Sequence, residues 1–155
     1  MAELIVRQAE AKDVRAIEAM EQVCFTDPWS YESLYHDIVE NPVALYLVAE
    51  EDGQICGYVG LWKILDEGHI TNVAVAPAHR RRHMGTALLT VLMEVGGANG
   101  ILRYTLEVRK SNEAAHRLYA GLGFMDAGLR KGYYQDNGED AIIMWKETET
   151  EGKEG

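Results

Sequence analysis

The sequence predicts a mixed α/β fold, a mostly antiparallel sheet with one parallel strand pair, flanked by helices. Three stretches predict it. Between Leu45 and Val75, apolar runs alternate with two short polar turns, which reads as an antiparallel meander. From Ile70 to Val108, a strand, a helix and a strand follow one another, and such a crossover puts its two strands side by side and parallel. Beyond Phe124, two more strand-like runs flank the turn Asp136-Asn137-Gly138-Glu139.

The elements follow in order. Leu4 to Arg7 is a short strand. Ala9 to Asp13 turns into a helix whose apolar positions include Val14, Ile17, Met20 and Cys24. Pro28 interrupts it, and Ser30 caps a second helix running to about Glu40, ended by Asn41-Pro42. Leu45 to Ala49 is a strand, Glu51-Asp52-Gly53-Gln54 a hairpin turn marked by Asp-Gly, and Ile55 to Trp62 the returning strand. Asp66-Glu67-Gly68-His69 reads as the next turn and Ile70 to Val75 as the fourth strand. A long helix then ends near Gly96-Gly97. Ile101 to Val108 contains a strand. Ser111 or Asn112 caps a short helix with Ala115, Leu118, Tyr119 and Leu122 on its apolar face. Strands over Phe124 to Tyr133 and Ala141 to Trp145 complete the fold. Residues 1–146 are expected to form one domain, and 147–155, charged and without apolar side chains, a disordered tail.

Composition sets bounds on function. The chain has 155 residues, enough for one full core, and its 47% apolar and 26% charged content is that of a soluble globular protein. A formal net charge of −10 argues against general nucleic-acid binding and favours a basic protein or peptide as partner. An acidic surface also serves solubility. Cys24 and Cys56 stand at no metal-ligand spacing, so no metal is expected, and buried thiols fit a reducing cytoplasm. No apolar run is long enough to span a membrane, and the start does not resemble a signal peptide.

One stretch organises the rest. Asn72-Val73-Ala74-Val75 is a buried strand, Pro77 stops it, and Arg80-Arg81-Arg82 follow. A helix then begins, with Met84, Leu88, Val91, Leu92 and Val95 on one face. Arginines ahead of a helix N-terminus, with its unpaired N–H groups, make a site for phosphate or pyrophosphate. A plain solvated basic turn has the same composition.

Longer segments carry a resemblance to a known family. Val73-Ala74-Val75 and Arg81-Arg82-His83-Met84-Gly85-Thr86-Ala87 resemble the acetyl-CoA motif of the GCN5-related N-acetyltransferases, the GNAT superfamily. Leu106 to Ala115, Leu118 to Phe124, Pro28-Trp29-Ser30, Gly132-Tyr133-Tyr134 and Glu139 to Met144 resemble the ribosomal-protein-alanine N-acetyltransferase subfamily. The similarity covers nearly everything but the tail. It implies the GNAT fold and direct transfer of acetyl from acetyl-CoA to the N-terminal alanine of a small-subunit ribosomal protein. One departure stands out: His83 occupies a loop position where the family usually has glycine. Its backbone N–H still serves if its φ stays negative, and the substitution leaves two outcomes open, a lowered cofactor affinity or a contact of the ring with a CoA phosphate.

The same resemblance assigns roles. Val73, Ala74, Val75, Arg81, Arg82, His83, Met84, Gly85, Thr86 and Asn112 would bind the cofactor, with a backbone N–H near Val75 at the thioester oxygen. Glu107 would be the base, directly or through a water, and Tyr119 the proton or hydrogen-bond donor to the leaving thiolate. Trp29, Tyr133 and Tyr134 would frame the acceptor. Each residue has a plain structural alternative: a salt bridge from Glu107 to Arg103 or Arg109, a core position for Tyr119, helix capping by Asn112, strand packing by Tyr133 and Tyr134, and a staple between two helices for Trp29. Acetylation of a small amine or a lysine side chain would use the same cofactor site, whereas a non-enzymatic acetyl-CoA-binding module would need neither Glu107 nor Tyr119.

Overall fold

The computed structural model describes residues 4–25, 27–76 and 83–148. Its seven strands are β1 (Leu4–Gln8), β2 (Ala44–Glu51), β3 (Gln54–Ile64), β4 (Glu67–Val75), β5 (Arg103–Arg109), β6 (Met125–Arg130) and β7 (Ala141–Glu147). They form one sheet in the order β1-β2-β3-β4-β5-β7-β6. Every neighbouring pair is antiparallel except β4 and β5. The helices are α1 (Val14–Cys24), α2 (Tyr31–Tyr35), α3 (Met84–Ala98) and α4 (Glu113–Gly121).

The sheet has a core on each side. Leu88, Leu89 and Leu92 of α3 pack with Val59, Leu61, Leu106 and Val108, joined by Tyr119 of α4. Val14, Ile17 and Met20 of α1 and Leu34 of α2 pack with Tyr46, Val48, Tyr58 and Ala74. Alternation along each strand sends neighbouring residues to opposite cores. In β4, Ala74 faces α1 and α2 while Val73 and Val75 pack on the α3 side.

Local chemistry explains most boundaries. The Ser30 hydroxyl accepts the Ser33 N–H at 3.1 Å and starts α2, which continues as one wider π-type turn over His36–Glu40. Asp52 and Gly53 both take positive φ, as a two-residue hairpin turn requires. Asn112 caps α4 by accepting the Ala115 N–H at 3.1 Å.

Four expectations need correction. Glu67-Gly68-His69 is not a turn but the start of β4; the reversal lies at Leu65, with φ 57°, and Asp66. Gly68 is there for close approach, since a Cβ would lie 2.7 Å from Leu61 Cδ1 and 2.9 Å from Tyr104 Cδ2. The helix α3 runs through Gly96 to Ala98, and a Cβ at Gly96 would collide with the Tyr104 hydroxyl. β6 ends at Arg130, leaving Tyr133 in a loop. Finally, Glu147 belongs to β7 opposite Arg103, and the Thr148 N–H donates to the Leu102 carbonyl at 3.0 Å. The rest of the expected tail lies outside the described residues. Within them, no helix is long and apolar enough to cross a membrane.

Candidate active site

The parallel contact between β4 and β5 is short. Glu67, Gly68 and His69 pair with Arg103, Tyr104 and Thr105, and the pairing then stops. β4 continues for six residues bound to β3, with one bulged residue, Thr71, between the pairs Leu61–Ile70 and Gly60–Asn72. β5 continues bound to β7. The two strands therefore part, and a cleft of about 880 Å³ opens beside them. Its walls include Asn72 and Val73 of β4, Glu107 of β5, the α4 cap Asn112, Tyr119 of α4, Glu21 of α1, and the loop residues Trp29, Tyr133 and Tyr134.

The exposed edge of β4 has a direction. The Ala76 N–H donates to the Cys56 carbonyl at 2.8 Å, toward β3. Amides alternate along a strand, so Val73 and Val75 turn their N–H groups the other way, toward the gap. Ala74 turns its backbone toward β3, opposite Tyr58, and its side chain is buried, so neither faces the gap.

At the far end of this edge stands α3. Arg81 and Arg82 lie outside the described residues. His83 immediately precedes the helix with φ 60° and ψ 23°, so the condition of a negative φ is not met. Histidine here adopts the left-handed conformation that glycine takes easily. The Met84 side chain is buried with its sulfur 3.2 Å from Cys56 Sγ, so only its N–H is available at the helix end. Gly85 lets α4 approach; a Cβ there would lie 3.1 Å from Leu118 Cδ2. Thr86 follows on the first turn, half-buried.

Glu107 is half-buried and accepts from Arg130 Nε at 3.2 Å. The salt bridge expected within its own strand does not form: Arg103 pairs with Asp66 and Glu147, and Arg109 with Asp136 and Glu139. Tyr119 is 7% exposed and meets the Phe124 ring edge-on at 6.0 Å. Burial, and then the neighbouring Tyr134, push its hydroxyl well above the ordinary tyrosine value. It stays protonated at neutral pH and can donate a hydrogen bond.

Tyr133 and Tyr134 meet edge-to-face at 5.0 Å, and burial pushes Tyr134 up to about 12. Trp29 packs its side chain against the α1–α2 core, and the residue lines the cleft. Asn112 caps α4 with its amide oxygen, and the residue lines the cleft.

Glu21 escaped the reading of the sequence. It is 1% exposed and accepts from the Trp29 N–H at 2.9 Å, from Asn72 Nδ2 at 3.0 Å and from the Tyr58 hydroxyl. Burial raises its carboxyl above the usual range, while the Trp29 and Asn72 donors oppose that shift. A signal was present: with Ile17, Met20 and Cys24 it completes an i, i+3, i+4, i+7 stripe, and an acid on the apolar face of a helix needs partners.

Residues 14–124 match the model of the Acetyltransferase (GNAT) family. The chain belongs to that family. Among its GNAT relatives, the Escherichia coli (strain K12) ribosomal protein bS18-alanine N-acetyltransferase is 35% identical over 141 residues, covering 90% of this chain and 94% of the relative. A Bacillus subtilis (strain 168) protein that carries the same name provisionally is 43% identical over 140 residues, 90% of this chain and 93% of its own. The crystal structure of the ribosomal-protein-S18-alanine N-acetyltransferase from Escherichia coli superposes with a TM-score of 0.87 at 32% identity, covering 96% of this chain and 97% of that one. The GNAT fold expected from sequence is therefore the fold found.

Proposed function

We propose that this protein transfers acetyl from acetyl-CoA to the N-terminal alanine of a small-subunit ribosomal protein, with bS18, named for its relatives, as the acceptor. The single observation that carries the reading is the cleft at the β4–β5 parting, where a strand edge, a carboxylate and a buried tyrosine meet. Relatives with that name, similar over nine-tenths of the chain, support the choice of acceptor. The reaction would occur in the cytoplasm, where ribosomal proteins are made.

Acetyl-CoA supplies an activated acetyl thioester when bound. The backbone of Val73 and Val75 would hold its pantetheine arm along the β4 edge, with Ala74 between them turned toward β3. The N-terminus of α3, with His83, Met84, Gly85 and Thr86, would receive its pyrophosphate together with Arg81 and Arg82, and the NH₂ of Asn112 would add a further donor. An N–H near Val75 stabilises charge on the carbonyl oxygen. Glu107 draws the proton from an α-amine whose ordinary pKa is about 7.7–8.0, so only modest help is needed. Tyr119 donates to the departing sulfur; its raised pKa favours a hydrogen bond over full proton transfer. Trp29, Tyr133 and Tyr134 enclose the acceptor, and the acidic chain attracts a basic one.

Thiol release from acetyl-CoA tests the reading with three acceptors: an Ala-starting peptide, the same peptide with a blocked N-terminus, and a polyamine. Turnover of the free peptide alone is expected. Equal rates on the blocked peptide would overturn N-terminal specificity, and turnover of the polyamine alone would overturn the protein acceptor.

A further inference from the structure

We infer that the side-chain oxygen of Asn72 is a binding group for the acceptor amine, held in place by Glu21. The inference rests on the acetyltransferase reading above and adds a residue to it. Among the described residues, Asn72 Oδ1 is the buried side-chain oxygen or nitrogen without a hydrogen-bond partner. Buried polar atoms nearly always have one, so an orphan on a residue that lines a cleft points to a donor that arrives with a ligand.

The orientation of the amide is fixed. Asn72 Nδ2 donates to Glu21 Oε2 at 3.0 Å, and Glu21 is itself locked by the Trp29 N–H and the Tyr58 hydroxyl. A carboxylate can only accept, so it selects the NH₂ side of Asn72 and leaves the oxygen pointing away. An amide whose NH₂ donates a hydrogen bond is polarised, which strengthens its oxygen as an acceptor.

Position identifies the donor. The β4–β5 register runs Glu67–Arg103, Gly68–Tyr104, His69–Thr105. Carried two residues further, it sets Glu107 across the gap from the bulged Thr71, next to Asn72. Leu106 and Val108 face the α3 core, so Glu107 projects from the opposite face, the face on which Asn72 meets Glu21 of α1. A primary amine attacking in this gap has N–H groups to satisfy besides the lone pair it uses. Once Glu107 has drawn the ammonium proton, the neutral amine keeps two N–H groups, and Asn72 Oδ1 accepts one of them. The α-amine is thus held between two acceptors while its lone pair faces the β4 edge. Glu21 touches no acceptor atom; it is a positioning residue.

Two variants test this, assayed by initial rates with each substrate varied in turn. Asn72→Leu keeps the size of the side chain and removes the oxygen. Glu21→Gln offers an NH₂ that can fill the Asn72 oxygen. For Asn72→Leu, kcat/KM for the Ala-starting peptide should fall about 10- to 100-fold, the loss of one hydrogen bond to a charged or reacting group. KM for acetyl-CoA should stay within about twofold, and Glu21→Gln should show the same split at smaller size. A merely structural role would move both substrates together, and that result would overturn the inference, as would an unchanged kcat/KM for the acceptor. If the wild-type protein turns over the polyamine in place of the peptide, the ribosomal reading falls by itself, and Asn72 is judged by the same split with the polyamine.

Discussion

Arg109 lies with its guanidinium carbon 4.0 Å from the centre of the Tyr134 ring, while its nitrogens reach Asp136 at 2.7 Å and Glu139 at 3.2 Å. Glu139 in turn accepts the Ser111 N–H at 2.6 Å, just ahead of α4. One planar cation therefore joins β5, the β6–β7 loop and the start of α4. Lysine cannot reproduce the fork or the stacking. Arg109→Lys should loosen the tyrosine wall, lowering kcat/KM for the peptide roughly tenfold, the equivalent of about 1.4 kcal/mol. The effect on KM for acetyl-CoA should be smaller. Steady-state kinetics with each substrate varied checks this, and equal losses for both substrates would refute it.

The proposed chemistry makes separable demands on Glu107 and Tyr119. Tyr119→Phe keeps the ring against Phe124 and removes only the hydroxyl. It should lower kcat by roughly 10²-fold, with KM for acetyl-CoA and thermal stability nearly unchanged. Glu107→Gln can still accept from Arg130 but cannot hold a proton. Its deficit should shrink as pH rises past about 8, because solution then supplies the neutral amine. A pH–rate profile from 6.5 to about 9.5 reads this directly. A deficit that stays constant would remove Glu107 from proton transfer.

Much of the fold around the cleft was legible in sequence because its parts are local. The cap at Asn112 and the hairpin at Asp52-Gly53 each depend on a few adjacent residues. What was not legible depends on contacts distant in sequence. Gly68 reads as a turn residue until Leu61 and Tyr104 are seen on either side of it. Those same three residues, Glu67 to His69, make the whole parallel contact, so the parting of β4 and β5 begins where a turn was expected. β7 inserts between β5 and β6, and no local pattern announces that order. The ion pair of Glu107 with Arg130 and the bracing of Glu21 by Asn72 cross 23 and 51 residues.

His83 carries a prediction of its own. Its φ of 60° costs an L-residue about 1–2 kcal/mol, and the extra freedom of glycine in the unfolded chain offsets part of that. His83→Gly should therefore stabilise the protein by about 0.5–1 kcal/mol in urea denaturation. Because glycine holds the same φ, the N–H groups at the start of α3 keep their directions. KM for acetyl-CoA should then change by less than about threefold. A much larger rise would mean that the imidazole itself contacts the cofactor.

Far from the cleft, Asp13 sets a pH limit on stability. It is 4% exposed and accepts Arg7 through both oxygens, at 2.8 and 2.9 Å, and the Glu10 N–H at 2.8 Å. The Arg7 guanidinium holds its carboxyl below the usual range, against the opposing effect of burial. A carboxylate with a lowered folded-state pKa contributes stability that is full above the unfolded value, about 3.9, and is lost as pH falls through the folded value. Asp13→Asn removes that contribution and leaves Arg7 with Glu50 at 2.8 Å. It should cost about 2–3 kcal/mol at pH 7 and nearly the same at pH 5. Below about pH 4 the wild-type protein loses its advantage and the two stabilities converge. Urea denaturation at pH 7, 5 and 3.5 measures the difference, and a gap that persists undiminished at the lowest pH would show that packing, not charge, makes Asp13 necessary.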